Sequence, residues 1–259
     1  MKIQVLGCSG SIGGQHLRTT TLRVDEDVLI DAGTGVGDLT LAELARIDHV
    51  FLTHTHLDHI ACLPMIADAV VDVRERPLTV HGTAEVLAIL RAHLFNGLLW
   101  PDFTRLPTPE SPFIRLNEIR VEEPVLIDGR SFTAIEVRHT VPAVAYVIAG
   151  AGGSLIFSGD TGSHPAFWQR ASNTPGLRHL IVECAFSNAE ATLAGVAGHY
   201  HPAALTGDLT AFRPASGQEV NVLITHMKPG QIDLIMKEIE SGIGGHRVHM
   251  LYSDQIIEL

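Results

Sequence analysis

HTHLDH, at residues 54–59, constrains this sequence more tightly than any other stretch of its 259 residues. It follows an apolar, β-branched run and precedes a segment with helical spacing, so its histidines and aspartate gather where a predicted strand ends. Because alternate residues of an extended chain share a face, His54 and His56 can approach one cation. Asp58 and His59 lie past the bend, where they can reach another. The alternative is a capping aspartate among surface histidines, but such a set is costly to bury without a cation. The spacing therefore predicts two metal ions.

The same six residues resemble the HxHxDH signature of the metallo-β-lactamase superfamily, and the superfamily's later motifs match this chain in the expected order. The matching segments are LIDAGTG with Asp31, the region of His139, FSGDTG with Asp160 and ITHMKPG with His226. By this resemblance one metal ion is held by His54, His56 and His139, and the other by Asp58, His59 and His226. The resemblance also implies that Asp160 bridges the ions and that Asp31 supports the ligands from behind.

The fold implied by the resemblance is α/β, a four-layer αβ/βα sandwich of two mixed β-sheets flanked by helices, with the metal ions at one edge. Residues 1–259 are expected to form a single domain, because no low-complexity tract, repeat or long linker divides them. The local patterns agree with a layered α/β arrangement. Strands are predicted at 3–6, 20–24, 28–30, 49–53, 131–137, 144–149, 154–157, 180–182 and 221–225. Helices are predicted at 60–71, 83–95, 202–212 and 231–241.

The positions of the later candidate ligands fit strand ends when the residues are considered by themselves. His139 and His226 each follow a β-rich run, and Asp160 follows the run 155–158 at a glycine. Each alone is commonly a structural histidine or a turn residue, but their joint placement favours a ligand set. Imidazole and carboxylate ligands without thiolate suit zinc, manganese or iron, with zinc the first choice. His56 stands where the superfamily's di-iron flavoprotein oxidases carry glutamate, which disfavours a redox role.

The amino-acid composition limits the classes of binding partner that we expect. Hydrophobic residues make up 46% of the chain and charged residues 18%, a globular balance, and no run of apolar residues is long enough to cross a bilayer. The net charge of -11 disfavours long nucleic acid, since phosphate binding rests on clustered lysine and arginine. Three widely spaced cysteines imply no disulfide framework. The N-terminal apolar run is too short for a signal sequence, and we expect a cytoplasmic protein without a membrane partner.

Within the superfamily, HTHLDHIACLPMIAD is similar to the corresponding region of the class II 3′,5′-cyclic nucleotide phosphodiesterases, although Cys62 stands where that family usually has glycine or serine. The resemblance implies hydrolysis of cyclic AMP or cyclic GMP to a 5′-nucleotide by attack of hydroxide held between the metal ions. Two ions about 3.5 to 4 Å apart suit such a displacement at phosphorus. A lactam or thioester substrate stays open, because the same metal pair can open either.

Several residues outside the metal motifs are candidates for proton transfer and substrate contact. The segment ECAFSNAEATLAGVAGHYHP offers Glu183 and His199, which resemble the catalytic glutamate and histidine pair of tRNase Z. We expect His199 to be the general acid, oriented by Glu183, with Asp58 also in the catalytic set. His201 and Lys228 are weaker substrate candidates, because a helix-start histidine and a solvated lysine are common.

Two glycine- or proline-rich segments flank these motifs. GCSGSIGG at 7–14 lacks the lysine of a phosphate-binding loop and is predicted to be a tight turn beside the site. Residues 96–112 carry four prolines and are predicted to be mostly loop, a lid or an interface. The apolar residues of this segment are expected either to form a wall over a purine or to be buried in a homodimer contact. They are Leu98, Leu99, Trp100 and Phe103.

Two rival functions remain at this point. A tRNase Z-like endonuclease shares the metal motifs, but that family usually places an RNA-gripping arm between the third histidine and the bridging aspartate. Only twenty residues separate His139 from Asp160 here, and none is lysine or arginine. A noncatalytic metal-binding scaffold is the other rival, although structural zinc sites are usually closed by four protein ligands.

Overall fold

The structure of the protein, a computed structural model, describes residues 1–14, 16–242 and 247–259. The strands, β1 to β16 in chain order, are Lys2–Gly7, Thr21–Val24, Val28–Ile30, His49–Phe51, Leu78–Gly82, Pro107–Thr108, Ser111–Pro112, Ile114–Glu118, Pro124–Ile127, Arg130–Glu136, Val144–Gly150, Gly153–Phe157, Leu177–Glu183, Asn221–Thr225, Val248–Met250 and Ile256–Glu258. The helices, α1 to α8, are Leu41–Leu44, Leu57–Ile60, Leu63–Val70, Ala84–Ile89, Pro165–Ser172, Ala191–Ala197, Pro202–Ala211 and Ile232–Gly242. A π-helical turn, Leu90–Leu94, continues α4.

The strands form two large mixed sheets. In the first sheet the order is β16-β1-β2-β3-β4-β5-β8, and the pairs from β3 to β8 are parallel. In the second sheet the order is β15-β14-β13-β12-β11-β10-β9, and the pairs from β12 to β15 are parallel. The strands predicted at 144–149 and 154–157 are present and pair as the antiparallel hairpin of β11 and β12. Parallel strands end together, so their carboxyl ends bring several loops to one edge of each sheet.

Three apolar interfaces separate four layers, as the sequence predicted. Neighbouring residues of β4 divide between two of them: Val50 packs with α3 residues such as Ile66, whereas Phe51 faces the other sheet and stacks on Phe132 at 4.5 Å between ring centroids. The third interface lies between the second sheet and its own helices, where Leu205 of α7 is fully buried. The period of two in β4 thus places one face against helices and the other against a sheet.

An ion pair also links the two sheets. Arg130, the first residue of β10, donates to both carboxylate oxygens of Asp27 at 2.6 Å and to Asp25 at 3.1 Å. Asp25 and Asp27 belong to the turn between β2 and β3 in the first sheet. The hydrogen bonds and charge of Arg130 lower the pKa of Asp27, although partial burial acts in the opposite direction. The pair therefore ties the turn of one sheet to an inner strand of the other.

Several predicted elements need correction. The helix predicted at 60–71 is present as α3 but begins at Leu63, because the amide of Cys62 donates to the carbonyl of Ala32, outside the helix, and Ile60 is the last residue of the separate helix α2. The strand predicted at 49–53 ends at Phe51. The predicted start of the helix at Thr83 is confirmed, since its side chain accepts from the amide of Val86. The prediction omits strands β5 to β9, β15 and β16 and helices α1, α2, α5 and α6. No helix among the described residues is long and apolar enough to cross a membrane.

Candidate metal centre

The candidate ligands converge at the edge shared by both sheets. Each follows the carboxyl end of a strand: Asp31 after β3, the residues of HTHLDH after β4, His139 after β10, Asp160 after β12 and His226 after β14. Asp31 and the residues of HTHLDH come from the first sheet. His139, Asp160 and His226 come from the second. The edge of the sandwich therefore gathers side chains that lie up to 195 residues apart in sequence, from Asp31 to His226.

One group of ligand atoms consists of His54, His56, His139 and Asp160, whose nitrogens and carboxylate lie within 4.8 Å of one another. Nε2 of His139 lies 3.1 Å from Nδ1 of His56, and Nε2 of His54 lies 3.6 Å from Oδ2 of Asp160. Nδ1 of His139 is 3.1 Å from the carbonyl oxygen of Gly198, which fixes the ring. Three nitrogens and one carboxylate oxygen thus face a common point.

A second group consists of Asp58, His59, Asp160 and His226, again within 4.8 Å. Oδ1 of Asp160 lies 3.2 Å from Nε2 of His59 and 3.3 Å from Nε2 of His226. Oδ2 of Asp58 lies 3.2 Å from Nε2 of His226. Because Asp160 presents Oδ1 to this group and Oδ2 to the other, its carboxylate lies between the two groups, where the resemblance placed the bridging ligand.

Asp31 supports this arrangement from behind. Its buried carboxylate accepts from the amide and the hydroxyl of Thr53 at 2.8 and 2.7 Å, and it lies 2.7 Å from Nδ1 of His59. A carboxylate at Nδ1 fixes the tautomer of the ring and leaves Nε2 for a metal ion. Thr53 also lies 3.0 Å from Nδ1 of His54. The sequence reasoning missed Thr53, although it directly precedes the HTHLDH motif.

The pairing of His54 with His56 is present, but its predicted cause is wrong. The sequence pattern attributes the pairing to alternation along a strand, whereas β4 ends at Phe51 and both histidines lie in the loop beyond it. The amide of Thr53 donates to Asp31 rather than to a neighbouring strand. His56 directly precedes α2 in extended conformation, with φ -65° and ψ 147°. The loop between β4 and α2, held by Asp31, therefore brings the two rings together.

The donor set fits two divalent cations. Nε2 of His54 and Oδ1 of Asp160 are buried without a hydrogen-bond partner among the described residues, which is costly unless a cation completes them. Burial lowers the pKa of His54 well below its usual value, which keeps the imidazole neutral, the form that binds metal. Nitrogen and oxygen donors without thiolate suit zinc, manganese or iron, and they do not distinguish among them.

Glu183 and His199 form a pair beside the second group. Oε1 of Glu183 lies 2.6 Å from Nδ1 of His199, and both residues lie close enough to His226 to share a cluster of potential ligand atoms. Glu183 is fully buried and accepts from the amides of Thr161 and Ala185 at 2.9 and 3.1 Å. Burial lowers the pKa of His199, but the charge and hydrogen bond of Glu183 raise it, and the net shift is upward.

The glycine-rich segment at 7–14 lies against the site, as predicted. The amide of His226 donates to the carbonyl of Cys8 at 2.8 Å, and a Cβ at Gly10 would clash with the carbonyl oxygen of His226. Glycine is therefore required at position 10 for this close approach. The ammonium of Lys228 donates to the carbonyl of Gly10 at 2.7 Å and lies 5.8 Å from the centroid of the Phe186 ring. Lys228 is thus held at the border of the site.

Two predictions concern residues outside the metal-ligand groups: His201 as a substrate contact and the apolar wall over a purine. His201 precedes α7, and its Nδ1 lies 3.1 Å from Oδ1 of Asn188, so the structure gives it a helix-start role outside the metal-ligand groups. The apolar wall predicted over a purine is wrong for Phe103, which is buried in the helix-side core and packs edge-on against Phe113. Leu98 is 93% exposed and remains available for contact. The homodimer predicted for this segment stays a prediction.

A four-layer sandwich with a His/Asp cluster at the shared edge of its sheets defines a metal-dependent hydrolase class. Residues 26–232 match the family described as "Beta-lactamase superfamily domain". The chain belongs to the metallo-β-lactamase superfamily.

Three relatives illustrate its position in that superfamily. A probable 3′,5′-cyclic-nucleotide phosphodiesterase of Yersinia pestis is 23% identical and covers 93% of this chain and 84% of its own length. A ribonuclease Z of Haloarcula marismortui is 29% identical over 57% of this chain, which spans about half, 47%, of that relative. The crystal structure of unliganded yeast PDE1 aligns with a TM-score of 0.78 at 20% identity, covering 100% of this chain and 99% of the other. That structural likeness shows the fold alone.

Proposed function

We propose that this protein hydrolyses 3′,5′-cyclic nucleotides, cyclic AMP or cyclic GMP, to 5′-nucleotides with two divalent metal ions, and that zinc is the preferred metal. The observation that carries the proposal is the single carboxylate, Asp160, lying between two groups of ligands with the Glu183 and His199 pair at their border. This arrangement supports reaction at a phosphodiester, where charge must be stabilised at several oxygens and one oxygen must leave with a proton.

The roles of the chain's own residues follow from their contacts. Bound divalent cations would supply Lewis-acid stabilisation of the phosphate charge and ease deprotonation of water. His199 is held at Nδ1 by Glu183, so Nε2 is the nitrogen that delivers a proton to the departing 3′ oxygen. Asp58 shares His226 with the second ligand group and orients the attacking water. Lys228, fixed by Gly10, offers a positive charge to a non-reacting phosphate oxygen.

The substrate part of the proposal rests on coverage and charge. The Yersinia pestis phosphodiesterase aligns with nearly the whole chain, whereas the ribonuclease Z aligns with just over half. Residues 140–159 contain the hairpin of β11 and β12 and neither lysine nor arginine. A net charge of -11 disfavours binding of a long polyanion along its backbone. Binding of one small phosphodiester needs only the local charges at the metal centre.

A ribonuclease of the RNase Z type is the second candidate. The observation in its favour is the 29% identity to the Haloarcula marismortui protein, together with the Glu183 and His199 pair that resembles the catalytic pair of tRNase Z. Metal-dependent cleavage of a precursor tRNA in the absence of cyclic nucleotide turnover would place this candidate first. A noncatalytic scaffold would instead unfold on metal removal and hydrolyse no phosphodiester when loaded.

The test is hydrolysis of cyclic AMP and cyclic GMP by the zinc-loaded protein, with products resolved by chromatography. We expect 5′-nucleotide formation that is lost in His56→Ala and in Asp160→Ala. His93→Ala, which removes an exposed histidine outside the ligand groups, serves as the matched control and keeps full activity. Metal content and thermal unfolding are measured for each variant. A folded, two-metal protein that turns over neither nucleotide would exclude the substrate assignment.

A further inference from the structure

A partly open pocket borders the glycine-rich segment at Cys8 and Ser9. It has a volume of about 270 Å³ and is formed by residues from both ends of the chain together with the segment after β14. Its apolar walls are Leu17, Met227, Ile232, Met250 and Leu251. We propose that this pocket binds a planar heteroaromatic amine of the size of a purine base, and that its occupancy is coupled to the metal centre through the segment carrying His226. The inference does not depend on the proposed function.

The chemistry of the lining indicates the ligand class. Met227 and Met250 place polarisable sulfur atoms in the wall, and thioethers make favourable contacts with aromatic rings. Tyr252, which is 57% exposed, adds an aromatic ring at the rim. Asp254, which is exposed, also lines the pocket, and its carboxylate has no hydrogen bond or ion pair with any described residue. Ser9, His16 and Ser253 complete the lining. A mainly apolar pocket with one carboxylate that lacks a partner matches a flat ring that carries N–H donors.

The pocket volume limits the size of this ligand. Pockets that hold drug-sized ligands usually span about 300 to 1,000 Å³. At about 270 Å³ the pocket accommodates a base-sized ring, and the carboxylate of Asp254 disfavours a phosphate at the rim. A free purine base and the base of a larger nucleotide share this chemistry. The inhibition kinetics described below distinguish between these two ligands.

Coupling to the metal centre follows from shared backbone contacts. Cys8 and Met227 line the pocket, and each is directly connected to His226: the carbonyl of Cys8 accepts from the His226 amide, and Met227 is the next residue in the chain. The amide of Gly10 donates to the carbonyl of Met227 at 3.1 Å. A ligand that packs against Cys8 and Met227 therefore stabilises the backbone that holds His226 in position.

Cys8 provides a direct measurement of occupancy. It is the half-buried thiol of the chain, whereas Cys62 and Cys184 are buried. Burial raises the pKa of Cys8 to about 11, so maleimide labelling is slow and its rate is resolvable by mass spectrometry at alkaline pH. Adenine is the probe. At adenine concentrations ten times its Kd, we expect the rate of Cys8 labelling to fall about tenfold, as mass action requires.

Two variants test the site. Met250→Trp fills the pocket and should abolish both protection and adenine binding measured by calorimetry. Asp254→Asn removes the charge yet suits the backbone, because asparagine tolerates the φ of 66° found there. It should weaken adenine binding by about tenfold, the loss of one charge-assisted hydrogen bond. Adenine binding that persists unchanged in Met250→Trp, or no protection of Cys8 at millimolar adenine, would overturn the proposal.

The coupling has its own measurement. By reciprocity, adenine must bind more tightly to zinc-loaded than to chelated protein by the same factor by which it tightens zinc binding. Equal adenine affinity in the two forms would refute the coupling. If a hydrolysed phosphodiester is found, competitive inhibition by adenine identifies the pocket as the base subsite of the substrate, and noncompetitive inhibition identifies a separate effector site. Failure of hydrolysis leaves the labelling and calorimetry results intact.

Discussion

Replacing Glu183 with glutamine tests whether this residue acts by positioning His199. Oε1 of Glu183 accepts from the amide of Thr161 and lies 2.6 Å from Nδ1 of His199, while Oε2 accepts from the amides of Ala185 and Tyr200. The amide group of a glutamine can accept only through its oxygen. In either orientation of the side chain the NH2 group faces at least one backbone amide, and it leaves one or two buried donors unsatisfied.

The expected magnitudes follow from these contacts. Each buried donor without a partner costs about 1–3 kcal/mol, so Glu183→Gln should lower the free energy of unfolding by roughly 1–6 kcal/mol. If the glutamine NH2 faces Nδ1 of His199, Nδ1 must act as the acceptor, and the ring loses the carboxylate that favours its protonated form. General acid catalysis contributes about 100- to 10,000-fold, and we expect kcat for the phosphodiester to fall within that range while zinc content is unchanged.

The assay is a double-mutant cycle at a temperature where all forms are folded. His199→Ala, Glu183→Gln and the double variant are compared for kcat and for urea unfolding. If Glu183 acts through His199, Glu183→Gln has no further effect on kcat once His199 is alanine, although its effect on unfolding persists. Equal losses of kcat in the presence and absence of His199 would refute the reasoning, because Glu183 would then contribute independently of the ring.

Three other predictions concern the ligands and the sheet interface. Chelation of the metal ions would leave the buried atoms of His54 and Asp160 without a partner, so Tm should fall and should recover when zinc is added. A Tm that does not change with chelator in calorimetry would contradict the donor set. Asp31→Asn should weaken zinc binding by about 10- to 100-fold in chelator competition, and unchanged affinity would contradict its supporting role. Arg130 lowers the folded-state pKa of Asp27, so this stabilisation is present above the unfolded pKa of about 4 and is lost as pH falls through the lower folded value. In urea titrations Arg130→Met should therefore be less stable at neutral pH, with a difference that shrinks on acidification; a constant difference would argue against the ion pair.

The metal-ligand groups were predictable because their signals are local. HTHLDH concentrates four candidate ligands in six residues. The superfamily resemblance adds His139, Asp160 and His226, and the apolar runs before them agree with positions at strand ends. The contacts that orient them carry no such signal. The carbonyl of Gly198 fixes His139 through a backbone atom, which every residue type possesses. Such a contact depends on tertiary position rather than on residue type, and sequence patterns do not reveal it.

The elements that escaped prediction are short or lack alternation. In β8 the sequence IRLNE places charged and polar residues on an edge strand, and β9 begins with proline, a residue usually excluded from inner strands. The break between α2 and α3 was missed for another reason. It depends on the carbonyl of Ala32, a residue thirty positions upstream, which competes for the amide of Cys62. Local periodicity continues through that position and gives no warning.

Two site residues carry backbone strain that the surrounding contacts must offset. Asp31 and His226 have φ values of 59° and 63°, in the left-handed region that side chains other than glycine rarely adopt, at a cost of about 1–3 kcal/mol each. Asp31 is held there by the hydrogen bonds of Thr53 and the ring of His59. His226 is held by the carbonyl of Cys8 and by close packing against Gly10. Each of the two residues directly follows the last residue of its strand, β3 or β14. The strain is therefore part of how the sandwich edge aims a carboxylate and an imidazole at the same point.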